Sequence, residues 1–138
     1  MQQLEVINIL KKDLNFTDQS IEKLKEFTKL VLKENKNHNL ISKSTENHIW
    51  LRHVLDSAQL VKFIDFSCKS LADLGSGAGF PGLVVEIFNK NKAFHVKLYE
   101  KSPVKRQFLL RVIKELELNA EVLGDINDEK LDTDIIIC

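Results

Sequence analysis

Leu71-Ala72-Asp73-Leu74-Gly75-Ser76-Gly77-Ala78-Gly79-Phe80-Pro81-Gly82 decides how this chain folds. An apolar run ends in an acid, glycine follows at every second position, and a proline then opens a helix start. A strand, a glycine turn and a helix in that order hold a nucleotide-sized cofactor at the end of a parallel strand. The glycines are expected to let backbone N–H groups approach a ligand with no Cβ in the way. Pro81 is expected in the first helical turn, where its missing N–H costs nothing.

The pattern continues downstream of this loop. A helix is predicted over 81–89, packed by Leu83, Val84 and Ile87. A second strand follows over 94–99. Ser102 caps the next helix with Pro103 at its first position, and the apolar stripe there is Val104, Phe108, Leu109, Val112, Ile113 and Leu116. Short strands follow at 121–123 and 134–138. Strands alternating with helices imply right-handed βαβ units and a parallel sheet. Upstream the period is helical. Leu4, Ile7 and Leu10 share one face of a helix over 2–12, and Thr17 caps a second helix reaching Glu34. Ile49, Trp50, His53, Val54, Ser57, Ala58 and Val61 space out a third. The fold class is therefore α/β: a helical segment over 1–66, then a Rossmann-like parallel sheet over 67–138. A parallel sheet is normally covered on both faces and runs beyond four strands. The sequence stops in the fourth, so it is expected to be C-terminally truncated and inactive alone.

Bulk properties set bounds. The chain has 138 residues and formal net charge zero, with 43% hydrophobic and 29% charged residues, which are ordinary values for a globular domain. Charge is nevertheless segregated. Lys97, Lys101, Lys105, Arg106 and Arg111 face only Glu100 between positions 97 and 111, which points to an anionic partner. Cys68 and Cys138 show no metal-ligand spacing. With no signal peptide and no long apolar run, a cytoplasmic chain with reduced thiols and no metal or membrane partner is expected.

Two cofactor motifs overlap in the loop. Gly77-Ala78-Gly79-Phe80-Pro81-Gly82 satisfies the dinucleotide G-x-G-x-x-G pattern, and Asp73–Gly79 satisfies an acid-x-G-x-G-x-G pattern suited to S-adenosylmethionine. Asp73 discriminates between them. It attracts the ammonium of a methyl donor, directly or through water, and repels a pyrophosphate. Glu100 ends the second strand, where an acid accepts hydrogen bonds from ribose hydroxyls of either cofactor. Asp125 follows the third strand, where such folds present a residue to the adenine edge, with Ile126 and Asn127 beside it. His53 and Asp56, three apart on a helix, are expected to pair and pin the helical segment near the cofactor, or to touch RNA.

Beyond the loop, three further segments carry a family resemblance. Asn37-His38-Asn39-Leu40, Trp50-Leu51-Arg52-His53-Val54-Leu55-Asp56-Ser57 and Lys105-Arg106-Gln107-Phe108-Leu109 occur with the loop in one order and spacing. In these segments the chain resembles the RsmG (GidB) family of bacterial methyltransferases. The resemblance implies methylation of a guanine N7 in small-subunit (16S) ribosomal RNA, with S-adenosylmethionine as donor. It implies that Gly75, Gly77 and Phe80 line the donor, that Glu100 meets its ribose, and that Ile126 and Asn127 lie beside the adenine. Lys101, Lys105, Arg106 and Arg111 are then the expected contacts to RNA phosphates. The rival readings are an NAD-linked oxidoreductase and a non-catalytic remnant that binds RNA.

Overall fold

The computed structural model describes residues 3–124 and 131–138. Helix α1 (Gln3–Asp13) buries Val6, Ile7 and Leu10. Leu4, expected on that face, is 70% exposed, because the buried stripe turns toward Val6 instead. Helix α2 (Asp18–Glu34) starts where the Thr17 hydroxyl accepts the Ser20 N–H at 3.1 Å and buries Ile21, Leu24, Phe27, Leu30 and Val31.

The third helical segment is not one regular helix. A 3₁₀ stretch (Lys43–His48) leads into a π turn (Trp50–Leu55), a single α turn α3 (Asp56–Ala58) and a second 3₁₀ stretch (Gln59–Phe63). Ile49, Trp50, Val54, Ser57, Ala58 and Val61 are all buried as their spacing predicts. Hydrophobic spacing finds the inward face; it does not resolve how tightly each turn is wound.

Strands β1 (Ser70–Leu74), β2 (His95–Tyr99), β3 (Ala120–Leu123) and β4 (Ile135–Ile137) form one parallel sheet in the order β3-β2-β1-β4. Helix α4 (Gly82–Phe88) connects β1 to β2, and α5 (Pro103–Leu116) connects β2 to β3. Pro81 stands just before α4 rather than within it, and the Phe80–Pro81 peptide is cis. Ser102 caps α5 through its hydroxyl, as expected, although Val104 in the first turn is 44% exposed. Both crossovers step from β1 toward the β3 edge. This leaves the C-terminal ends of β1 and β2 adjacent, with Leu74 opposite Tyr99.

One apolar core runs through helices and sheet alike. Phe16 of the α1–α2 connection meets Phe88 of α4 at 4.8 Å between ring centroids. Phe66 meets Phe88 and Phe94 at 5.3 and 5.0 Å. Tilted pairs at these separations add to the burial of the rings, so the helical segment is fastened to the sheet by aromatic packing.

Candidate functional site

The glycine loop leaves β1 and folds over the ends of β1 and β2. Gly75, Gly77 and Gly79 all have positive φ, at 76°, 54° and 105°. The N–H groups of Gly75 and Ser76 both donate to the Tyr99 carbonyl, at 2.9 and 3.0 Å. Gly77 donates to Glu100 Oε1 at 2.8 Å, Gly79 to the Ser76 carbonyl at 2.8 Å, and Gly82 to Asp73 Oδ2 at 3.0 Å. These donors therefore turn inward. The Tyr99 and Ser76 carbonyls and the two carboxylates take these glycine N–H groups, and what the glycines leave to a ligand is space.

The glycines divide into two kinds. A Cβ on Gly75 would meet nothing within 4 Å, and one on Gly77 only the Gly75 carbonyl, at 4.0 Å; the outer side of the loop is open. A Cβ on Gly79 would stand 2.7 Å from Leu83 Cδ1, and one on Gly82 2.5 Å from Asp73 Oδ2. The first pair leaves space outside the loop, and the second lets the loop sit down on the core.

Asp73 is fully buried at the end of β1. Its Oδ2 holds Gly82, while Oδ1 has no hydrogen-bond partner. Burial pushes the carboxyl up to about 6, the Gly82 N–H pulls it down, and the charge of nearby Glu100 adds to the upward push. Glu100, also buried, takes the Gly77 N–H on Oε1 and the Ser102 N–H on Oε2 at 2.9 Å. It thereby joins loop, β2 and the start of α5. Asp73 and Glu100 sit where the sequence puts them, at neighbouring strand ends. Asp125, Ile126 and Asn127 lie outside the described residues.

Phe80 forms one rung of a ladder that sequence reading only half found. Its ring lies 5.0 Å from Phe27 of α2 and 5.1 Å from His53 of the π turn. His53 Nε2 is 2.9 Å from the Thr45 hydroxyl. The partner of His53 is therefore Thr45 and not Asp56, whose charge opposes the downward push that burial exerts on the imidazole. Phe27 and Thr45 carry no local signal of such a role. They are ordinary core and capping residue types, joined to the loop only by tertiary packing.

The basic residues separate into two pairs. Arg106 Nη1 donates to the carbonyls of Glu100 and Lys101, at 2.9 and 2.7 Å, so it ties down the chain beside the site. Arg111 pairs with Glu34 at 3.3 Å. Among the described residues, Lys101 and Lys105 form no ion pair. Those residues also hold no group of three or more His, Cys, Asp and Glu side chains placed for a metal, and none of their helices is long and apolar enough to cross a membrane.

A parallel sheet with a glycine loop and two strand-end acids, preceded by a helical segment, is the architecture of a Rossmann-like methyltransferase. The family model for GidB, rRNA small subunit methyltransferase G, matches residues 20–138, and the chain belongs to this family. It is similar to the ribosomal RNA small subunit methyltransferase G of Pelagibacter ubique, with 37% identity over 93% of the chain and 63% of the relative. The Rickettsia felis protein of the same name is 42% identical over 86% of the chain and 60% of its own length. That of Cereibacter sphaeroides is 44% identical over 80% and 55%. The chain thus spans under two thirds of the length of these relatives.

Proposed function

We propose that this chain holds S-adenosylmethionine in the glycine loop and serves methyl transfer to N7 of a guanine in 16S ribosomal RNA. One observation carries the cofactor reading. The N–H groups of Gly75, Ser76, Gly77, Gly79 and Gly82 are spent inward, and two carboxylates lie at the strand ends beneath the loop. A dinucleotide brings a pyrophosphate, which draws on outward N–H donors and is repelled by Asp73. S-adenosylmethionine brings a cationic sulfonium and an ammonium instead. The unpartnered Asp73 Oδ1 and the open space outside Gly75 fit that ligand.

In this reading Asp73 holds the amino-acid end, directly or through water. Glu100 has a second lone pair on each carboxylate oxygen for the ribose hydroxyls. Phe80, braced by Phe27 and His53, supplies an apolar wall that keeps water out. Asp125, Ile126 and Asn127 are proposed at the adenine edge. The bound cofactor supplies an electrophilic methyl group on sulfur. Guanine N7 carries a free lone pair at neutral pH, so no proton has to leave before attack. The protein's contribution is to align the partners at reacting distance in a dry site, and no acid–base pair is required of it. Lys101 and Lys105 are proposed to meet RNA phosphates, and the proposed setting is the small ribosomal subunit in the cytoplasm.

Calorimetric titration of the chain with S-adenosylmethionine, with NAD as control, tests the cofactor reading. Saturable binding of the methyl donor with a silent NAD titration is expected. NAD binding, or a folded chain that ignores the methyl donor, overturns it.

A further inference from the structure

The side of α5 that meets the end of α2 carries a small open groove that the cofactor reading does not use. Val104, Gln107, Phe108 and Arg111 stand at i, i+3, i+4 and i+7 and so share one face of the helix. With Glu34 and His38 they line a cavity of about 250 Å³. Phe108 is only 3% exposed, and the Arg111 guanidinium carbon stands 5.6 Å from its ring centroid. Glu34 holds that arrangement from the opposite wall. Its Oε1 is 3.3 Å from Arg111 Nη2 and its Oε2 is 3.4 Å from His38 Nε2. The Arg111 side chain remains 44% exposed, so a guanidinium held beside the ring is still reachable from solvent.

These features select a ligand. The Glu34 carboxylate offsets the Arg111 charge and disfavours a phosphate in the groove. A planar guanidinium backed by an aromatic ring is a stacking surface for a nucleobase. Val104, 44% exposed at the groove's edge, adds apolar contact, and the Gln107 amide offers both a donor and an acceptor to a base edge. The cavity falls just below the ~300–1,000 Å³ of drug-sized ligand sites, which suits one base. A paired base has its edges engaged and its faces stacked, so the occupant is an unpaired one. The helix that carries the groove begins at Ser102, whose N–H Glu100 holds. Phosphates of a strand anchored here would pass Lys101 and Lys105 on the way to the cofactor end of the sheet.

We infer that the groove between α2 and α5 takes one unpaired base of a single-stranded RNA segment, with Arg111 as the stacking surface and Gln107 at the base edge. This rests on the RNA-methyltransferase reading and adds a second contact point to it. The test titrates the full chain with a short single-stranded RNA carrying one 2-aminopurine, and with the same RNA abasic at that position. Arg111→Lys keeps the charge and removes the plane. The wild type is expected to bind the base-containing RNA about tenfold more tightly than the abasic one, with a change in 2-aminopurine fluorescence on binding. Arg111→Lys and Gln107→Ala are expected to lose most of that preference, with abasic binding unchanged. Equal affinity of the wild type for both RNAs overturns the inference, as does an undiminished preference in Arg111→Lys. Calorimetry with S-adenosylmethionine on the same samples separates the two levels. Cofactor binding without base preference removes this groove alone, whereas loss of both cofactor and RNA binding removes the methyltransferase reading with it.

Discussion

The Asp73 carboxylate accepts the Gly82 N–H at 3.0 Å through Oδ2 while its Oδ1, equally buried, has no partner. A half-satisfied buried carboxylate is costly when charged, and it persists here at the end of the strand that leads into the glycine loop.

That cost has a pH signature. Burial raises the folded-state carboxyl from 3.8 to about 6, so between these values the folded chain binds more protons than the unfolded one. The Asp73 contribution to stability is therefore fully present below about pH 4 and is lost as pH rises through 6. Asp73→Asn keeps an oxygen for Gly82 and carries no charge. It is expected to match the wild type near pH 4 and to exceed it by about 1–3 kcal/mol at pH 8 in urea unfolding. The same substitution is expected to weaken S-adenosylmethionine binding at pH 8. A variant that is more stable and binds as well as the wild type would remove Asp73 from the cofactor site.

The two kinds of glycine respond differently to substitution. Gly82→Ala places a methyl against Leu98 and the Asp73 carboxylate, and is expected to cost about 1–3 kcal/mol through overpacking. Gly75→Ala meets no neighbour but must hold φ near 76°, at a cost of about 1–2 kcal/mol for a left-handed residue. Asparagine tolerates that backbone, so Gly75→Asn is expected to recover part of the loss while Gly82→Asn recovers none. Urea midpoints of the four variants check this.

Glu86 of α4 marks the opposite end of the sheet. Its Oε1 accepts the Asn89 amide at 3.2 Å and its Oε2 the Asn119 N–H at 3.1 Å, just before β3. Burial pushes it up to about 7, against these two hydrogen bonds. Its contribution, like that of Asp73, is lost as pH rises, here from about 4.5 through 7. Glu86→Gln is expected to flatten that part of the pH–stability curve. Glu86→Ala removes the acceptor of both the Asn89 amide and the Asn119 N–H and is expected to cost about 0.5–1.5 kcal/mol below pH 5. Chemical denaturation across pH 4–8 distinguishes the two.

Strand positions, the order of elements and both helix caps were legible because each rests on local signals. Ser70–Leu74 is an apolar run before a glycine turn, and Thr17 and Ser102 are capping residues ahead of periodic stripes. Asp73 and Glu100 were legible for the same reason, since each ends its strand. What escaped reading is held by residues distant in sequence. The Tyr99 carbonyl takes the N–H groups of Gly75 and Ser76, from a loop more than twenty residues upstream, and no local pattern signals that pairing. His53 finds Thr45 rather than Asp56 because a π turn rotates the segment away from ideal helical register. The Phe27–Phe80 contact joins two elements whose apolar residues read, one at a time, as ordinary core.

The aromatic ladder gives a coupling to measure. Phe27, Phe80 and His53 pack in succession as tilted rings, so Phe27→Leu and Phe80→Leu should not act independently. A double-mutant cycle is expected to show about 0.5–1.5 kcal/mol of coupling in unfolding free energy. Phe80→Leu is expected to weaken S-adenosylmethionine binding more than Phe27→Leu does, because Phe80 belongs to the loop itself. Additive effects on stability would show that the rings pack without assisting one another.

The basic residues of the α5 region make a final separable pair. Lys101 and Lys105 hold no carboxylate among the described residues, whereas Arg106 is committed to the carbonyls of Glu100 and Lys101. Replacing both lysines by glutamine is expected to leave stability and cofactor affinity unchanged. It should also lower the slope of log K against log salt for single-stranded RNA by about 1.4, at about 0.7 per phosphate contact. Arg106→Gln is expected to do the reverse. It releases the carbonyls of Glu100 and Lys101, costs about 0.5–1.5 kcal/mol of stability, and weakens cofactor binding with a smaller change in salt slope. Filter binding from low to moderate salt, paired with calorimetry, reads both effects. If the lysine variant keeps the wild-type slope, RNA phosphates do not run along the start of α5.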